Sequence, residues 1–217
     1  MHLEYFQYFE LLSLLLALVC YKGLKKFSLT AFVPLLIIIN VMEILGVNYS
    51  GPNYFIYNLL ILLQTPFFLF LYGKMLMLRD NELTVFRIVS ALALFFIGFN
   101  YFFWQGAEKF TNYSFILIEV LNIVLSCLVL LRLYMLETSI VLFVSPYFWI
   151  NAANLLFGLA VLVLLGLQDY IIRNNIKIGN YSLYRYILPF ATIVLYSFYS
   201  FAFVLCRKRT NSWSLSS

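Results

Sequence analysis

Charged residues are scarce in this chain. Only 11% of its 217 residues are charged and 64% are hydrophobic, whereas about a quarter of the residues of a soluble domain are charged. Apolar runs of about 20 residues recur along the whole chain, which is the length that a helix needs to cross a bilayer. Barrel strands would alternate polar and apolar residues, and these runs do not. The composition therefore predicts an all-α integral membrane protein.

Residues that commonly carry catalytic or metal chemistry are also few. The one histidine, His2, stands at the extreme N-terminus, so the several His ligands of a seven-span zinc hydrolase are missing. The last apolar run, Tyr186 to Cys206, has no lysine for the Schiff base of a retinal protein. The chain contains no nucleophile elbow, phosphate-binding glycine loop or metalloprotease helix. We therefore expect no enzymatic activity, catalytic residue, metal or cofactor.

The cysteines and the net charge exclude two further classes. Cys20, Cys127 and Cys206 lack the spacing of a metal site, so we expect free thiols and no disulfide framework. The first apolar run lacks the basic start of a secretory signal and is expected to remain as the first span. The net charge of +5 follows from basic loops, which predicts contact with the lipid bilayer rather than with nucleic acid.

Seven apolar runs predict a seven-transmembrane helix bundle. It would form a single domain over residues 1–206, followed by a short basic and polar cytoplasmic tail over 207–217 that we expect to be disordered. The connections between the runs are too short to fold as soluble domains. The predicted spans are Tyr5 to Tyr21, Leu29 to Val47, Tyr54 to Tyr72, Val85 to Trp104, Tyr113 to Leu131, Ile140 to Leu167 and Tyr186 to Cys206.

Basic residues are unevenly divided between the two sets of connections. One set carries Lys22, Lys25, Lys26, Lys74, Arg79, Arg87, Arg132, Arg207, Lys208 and Arg209. The other set carries only Lys109, Arg173, Lys177 and Arg185. Because Lys and Arg are enriched in cytoplasmic loops, the N-terminus is predicted to lie outside and the C-terminus in the cytoplasm.

Two stretches of the chain repeat a polar pattern in an apolar setting. "INVMEILG" from Ile39 and "INAANLLFG" from Ile150 each carry two polar residues three positions apart. Two further pairs recur at nearly the same offset, Glu10 with Glu119 and Pro34 with Pro146. The pattern predicts a 3+1+3 arrangement, in which two parallel three-helix halves are joined by the fourth span. Chance similarity between apolar helices is the alternative.

Polar residues inside the spans are the candidate ligand-binding residues, because a charged group in a bilayer costs several kcal/mol on insertion scales. We expect them to form a polar pocket open to the outside that suits a cation, an amine, a proton or a hydroxylated small molecule. Alternatively, such residues hydrogen-bond between helices, an interpretation that we favour for Gln64, Ser13 and Ser126. The candidates are Glu10, Asn40, Glu43, Glu119, Asn122, Asn151 and Asn154.

Three stretches carry a resemblance to a known family. "YFQYFELL" in span one, "FILIEVLNIVLS" in span five and "PYFWINAANLLFG" in span six resemble the small seven-span proteins common in Bacteroidota. The resemblance covers most of the chain. Because these proteins often accompany sensor histidine kinases, it implies a signalling role beside such a kinase in the inner membrane of a bacterium.

Two functions from different classes remain open at this stage. The first is a sensor or receptor-like bundle that binds a ligand in its outer half and signals through a partner. The second is a small-solute or proton-coupled transporter, whose 3+1+3 plan is similar to that of SWEET-type sugar transporters but lacks their paired Pro-Gln signature. Because the inner half of the spans is almost wholly apolar, the sequence favours the sensor.

Overall fold

The computed structural model describes residues 3–136, 142–174, 177–178 and 181–214, and these residues are almost entirely helical. A short π-helical segment, Asn100–Trp104, extends the fifth helix. A hairpin of two-residue strands, β1 (Lys177–Ile178) and β2 (Tyr181–Ser182), joins the last two helices. The α-helices are α1 (Gln7–Val19), α2 (Tyr21–Lys26), α3 (Phe32–Asn48), α4 (Tyr54–Met75), α5 (Asp80–Phe99), α6 (Asn112–Leu136), α7 (Pro146–Arg173) and α8 (Tyr184–Ser214).

Five of these helices are long and apolar enough to cross a membrane. They contain the segments Tyr54–Met75, Asp80–Trp104, Asn112–Leu136, Pro146–Leu167 and Tyr186–Lys208. Helices α1 and α3 are apolar but shorter, with 13 and 17 residues. The protein is therefore a multi-pass helical membrane bundle in contact with the lipid bilayer, which confirms the predicted all-α membrane class.

The helix ends differ from the predicted spans at three places. The first span is interrupted at Cys20, where α1 ends and α2 begins. The sixth starts at Pro146 rather than Ile140, because proline is favoured in the first turn of a helix and disfavoured further in; residues 137–141 lie outside the described residues. The last helix continues to Ser214 because residues 207–214 contain no glycine or proline to stop it. The prediction of disorder there is therefore wrong, and residues 215–217 lie outside the described residues.

Among the described residues, six helices form a closed ring and α5 lies outside it. Around the ring, α1 packs against α3, α3 against α4, α4 against α6, α6 against α7, α7 against α8, and α8 back against α1. Helix α5 packs on the outside of the ring, mainly against α4. It is accordingly the least buried of the long apolar helices.

The bundle has two ends with different loops. The basic end holds α2, the α4–α5 turn and the C-terminal parts of α6 and α8, where the Tyr147 hydroxyl donates to the Phe27 carbonyl at 2.7 Å and Arg132 pairs with Glu82 at 2.7 Å. The cavity end holds the start of α1, the α3–α4 loop, the α5–α6 loop and the β-hairpin. There, the Asn58 side chain donates to the Lys109 carbonyl at 2.7 Å and fixes the α5–α6 loop on α4.

Candidate ligand-binding cavity

A cavity of about 470 Å³ lies inside the six-helix ring. All six ring helices contribute lining residues, whereas no described residue of α5 does. The lining extends from Phe6 and Asn53 at the cavity end down to Tyr199 in the middle of α8. Its volume lies within the range of about 300–1,000 Å³ that is usual for small-molecule sites.

Five of the seven candidate residues line this cavity. They are Glu10 on α1, Glu43 on α3, Glu119 and Asn122 on α6, and Asn154 on α7. The structure therefore brings together residues that are separated by more than a hundred positions in sequence. That they bind a ligand stays a prediction.

The other two candidates, Asn40 and Asn151, do not line the cavity, which corrects their predicted placement. Each side chain is buried and donates to the carbonyl one turn earlier on its own helix: Asn40 to Leu36 at 2.8 Å and Asn151 to Tyr147 at 2.7 Å. Such a bond satisfies the amide donor within the same helix. The Oδ1 atom of Asn151 is nevertheless buried without a partner among the described residues.

Glu10 on α1 and Glu43 on α3 form one acidic group in the wall of the cavity. The Glu10 side chain is 2% exposed, and its Oε2 atom has no hydrogen-bond partner among the described residues. Glu43 is close enough to interact electrostatically with Glu10, and it accepts a 3.4 Å hydrogen bond from the Tyr57 hydroxyl. Within the described part of the chain, Tyr57 is thus the one donor bound to these two carboxyls.

Glu119 forms a second acidic group on the side of α6. The residue is 3% exposed, and the Asn122 side chain one turn later is close enough to interact with its carboxyl. Its Oε2 atom has no partner within the part of the chain that the structure describes. A buried carboxyl oxygen without a hydrogen-bond donor is destabilising. The cavity therefore contains an unpartnered acceptor here as well.

Four polar side chains close the bottom of the cavity, and we call them the polar floor: Tyr72, Ser126, Asn154 and Tyr199. Asn154 Nδ2 donates to the Tyr72 hydroxyl at 3.0 Å, and Tyr72 is 2.8 Å from the Ser126 hydroxyl. The Tyr199 hydroxyl donates to Asn154 Oδ1. This network joins α4, α6, α7 and α8. On the far side, the Tyr199 ring packs against Phe32 with centroids 5.1 Å apart, so apolar core begins directly below the floor.

Sequence reasoning missed the tyrosines at this site. Tyr54, Tyr57, Tyr196 and Tyr199 line the cavity, and none of them is among the candidate ligand-binding residues. The signal that distinguishes Tyr196 and Tyr199 is their position in the middle of an apolar run, far from either interface. A tyrosine hydroxyl at that depth needs a partner inside the protein.

The three residues predicted to hydrogen-bond between helices lie in different environments. Ser126 on α6 does bond to Tyr72 on α4. Gln64 lines the cavity. Ser13 is buried, and its hydroxyl has no partner among the residues that the structure describes.

The final glycines of the two repeated stretches make room for groups on neighbouring helices. A Cβ atom on Gly46 would lie 2.9 Å from the Tyr57 hydroxyl, which is the donor to Glu43. A Cβ atom on Gly158 would lie 2.9 Å from Ile123 Cγ1 and 3.3 Å from Glu119 Oε2. In both stretches a glycine therefore permits the arrangement around a carboxyl.

The chemistry of the lining limits what the cavity can hold. Within the described residues no group of three or more His, Cys, Asp or Glu side chains could hold a metal ion. The lining carries three carboxyls and, over the same residues, no lysine, arginine or histidine. It is otherwise mostly aromatic and aliphatic. The arrangement can accept hydrogen bonds and stabilise positive charge on a small organic molecule. Comparison of the chain with protein-family models, with curated proteins and with solved structures gives no match.

Proposed function

We propose that this protein is a non-enzymatic, seven-span membrane receptor that binds a small molecule in the cavity and signals through its basic end to a partner protein. The observation that carries the proposal is the presence of three carboxyls, from α1, α3 and α6, around one ligand-sized cavity. Carboxyls inside a membrane protein are costly and usually functional. The bilayer would be the inner membrane of a bacterium.

Seven spans and an outward-facing cavity are part of this proposal. Helix α1 alone, at 13 residues, is about 20 Å long, but α1 and α2 together over residues 7–26 reach about 30 Å at 1.5 Å per residue. Lys22, Lys25, Lys26, Arg132 and Arg207 all belong to the basic end. Positively charged ends face the cytoplasm, which would place the N-terminus and the mouth of the cavity outside.

A sensor histidine kinase is the proposed partner, on the strength of the family resemblance. Short loops form the basic end of the described chain, so a receptor of this plan would need the output domain of another protein. Ligand binding would reach those loops through the polar floor, because Tyr72, Ser126 and Tyr199 lie on α4, α6 and α8, whose C-terminal ends lie at the basic end. A ligand shifts such an equilibrium only by its difference in affinity for the two states.

The internal repeat gives the alternative, a 3+1+3 transporter, its support. Exchanging α1, α3 and α4 with α6, α7 and α8 leaves the order of the helix ring unchanged. Asn40 and Asn151 make the same bond to their own helices. A site at the interface of two such halves is the arrangement that alternating-access transporters use.

Thermal unfolding in the presence of a small-molecule panel tests the receptor proposal. The panel contains amines, sugars, nucleosides and carboxylates, added to the purified full-length protein in detergent. We expect at least one class to raise the unfolding temperature of the wild type and to have no effect on the Glu10→Gln/Glu119→Gln double variant. Equal stabilisation of the double variant would contradict the site.

Reconstitution separates the receptor from the transporter. Compounds that stabilise the protein are loaded into liposomes that contain it, and their flux and that of protons are measured. The receptor proposal predicts binding without flux. Saturable flux that the double variant loses would favour the transporter instead.

A further inference from the structure

Two carboxyl oxygens of the cavity lack hydrogen-bond partners, whereas several of its donors are engaged by the protein. Tyr57 donates to Glu43, Asn154 to Tyr72, and Tyr199 to Asn154. Asn53 and Thr192 also each direct a donor to a protein acceptor, whereas Tyr54, Gln64 and Tyr196 present further donors on the lining. By contrast, Oε2 of Glu10 and Oε2 of Glu119 are buried without a partner among the described residues. A ligand that donates hydrogen bonds would complete the site.

The charge of the lining determines the sign of the ligand. Glu10, Glu43 and Glu119 all face the cavity, and the described lining contains no basic side chain. Bringing an anion close to Glu10 and Glu43 would add repulsion to a pair that already interact. A bare metal ion fits poorly as well, since the described residues gather no cluster of three acidic or other ligands.

The aromatic side chains favour an organic cation over an inorganic one. Phe6, Phe68, Phe110, Phe115 and Phe157 line the cavity together with tyrosines. Aromatic faces attract organic ammonium groups through their quadrupoles and also bury an apolar body. The volume of about 470 Å³ is far more than an ammonium group alone needs.

We propose that the cavity binds an organic amine, with its ammonium group between Glu10 and Glu43 and its apolar body against the phenylalanines. This inference rests on the proposed function, because it assumes that the cavity is a ligand site and adds the chemical class. Glu10 is the central residue, since it has the unpartnered oxygen and lies beside a second carboxyl. The Tyr57 hydroxyl holds Glu43 in place next to it.

Three probes of similar shape test the inference on the wild-type protein. They are 2-phenylethylamine, the uncharged 2-phenylethanol and the anionic 3-phenylpropanoate, with affinities measured by isothermal titration calorimetry in detergent at one ionic strength. We expect the amine to bind about ten- to a hundredfold more tightly than the alcohol, because a charge-assisted hydrogen bond is lost in the alcohol. The carboxylate should not bind.

Two variants locate the ammonium group. Glu10→Gln should weaken amine binding by about ten- to a hundredfold and leave the alcohol unchanged. Glu108→Gln serves as the matched control, because Glu108 is exposed in the α5–α6 loop and its replacement should change neither affinity. If Glu10→Gln fails to fold, the amine-to-alcohol ratio of the wild type decides alone.

Several outcomes would overturn the inference: equal affinities for the amine and the alcohol, no amine binding, or full amine affinity in a folded Glu10→Gln variant. The small-molecule panel separates this failure from that of the proposed function. If sugars or nucleosides stabilise the wild type and amines do not, the ligand class is wrong and the receptor proposal stands. If no compound of any class stabilises the protein, both are wrong.

Discussion

The two ends of the ring enclose very different interiors, although the same helices build both. At the cavity end, α1, α3 and α6 direct carboxyls into a space of about 470 Å³. At the basic end the interior is closely packed, and Leu24, Leu35 and Phe203 are 0% exposed. A Cβ atom on Gly23 there would lie 2.7 Å from the backbone of Cys206. The polar floor separates the two interiors.

The difference shows which regions of the bundle are stabilising and which are destabilising. In lipid, helices associate through close packing and interhelical hydrogen bonds rather than through the hydrophobic effect. The basic end provides the close packing, and the polar floor provides the hydrogen bonds. The cavity end has unpartnered carboxyl oxygens and a void, both of which are destabilising and are explained if a ligand fills them.

The largest expected effect comes from the core of the basic end. Phe203→Ala should lower the free energy of unfolding by about 3–5 kcal/mol, because it leaves a void in a fully packed interior. Phe201→Ala on the same helix is the matched control, since Phe201 is 47% exposed and should change stability little. Thermal unfolding in detergent measures both, and equal losses would show that the basic end is not the packed core.

A smaller loss is expected at the polar floor. Tyr72→Phe removes the hydroxyl that accepts from Asn154 and bonds to Ser126, which should cost about 1–3 kcal/mol because buried polar groups lose their partner. Tyr134→Phe is the control, because Tyr134 is an exposed residue of α6. Unfolding temperatures of the two variants are compared with the wild type. A neutral Tyr72→Phe would mean that the floor does not hold the helices together.

Two glycines on α7 allow a prediction about the cavity end. Gly158→Ala should displace Ile123 and Glu119, which costs about 1–2 kcal/mol and should lower ligand affinity. A Cβ atom on Gly166 would meet no described atom within 4 Å, so Gly166→Ala should be neutral or stabilising by up to about 1 kcal/mol. Unfolding and binding are measured for both. Unchanged binding in Gly158→Ala would show that Glu119 is not part of the binding site.

The smallest effect is expected at the surface of the basic end. Glu82→Gln removes the 2.7 Å ion pair with Arg132, but exposed ion pairs contribute little and are screened by salt. We expect a slight fall in unfolding temperature at low salt that disappears at high salt. A large fall at every salt concentration would show that this pair, rather than the apolar core, fixes the α4–α5 turn.

The sequence was sufficient for the membrane class, because apolar runs of this length have few other structures available to them. It was also sufficient to identify Glu10, Glu43 and Glu119 as unusual, since carboxyls in such runs are rare. The sequence did not indicate that Asn154 lines the cavity whereas Asn151 does not. Both are buried polar residues on α7, and which of them reaches the cavity depends on how α7 is rotated against its neighbours.

The polar floor could not be predicted from the sequence, for a related reason. Tyr72, Ser126 and Tyr199 lie on three different helices, and their meeting depends on the depth at which each helix stands in the ring. The end of α8 also differs from the predicted end of the last span, because the basic segment after Cys206 continues the helix. Composition predicted a disordered tail there, but the absence of a stop residue favoured the helix.

Thiol labelling at two positions of α8 tests most directly whether the cavity end is an open, water-filled site above a dry core. In a variant whose native cysteines are replaced by alanine, Thr192→Cys lines the cavity and Ala202→Cys lies in the fully buried core. A membrane-impermeant maleimide is added to the outside of intact cells. We predict rapid labelling of Thr192→Cys and none of Ala202→Cys. Absence of labelling at Thr192→Cys, or equal labelling at both positions, would contradict the proposed site.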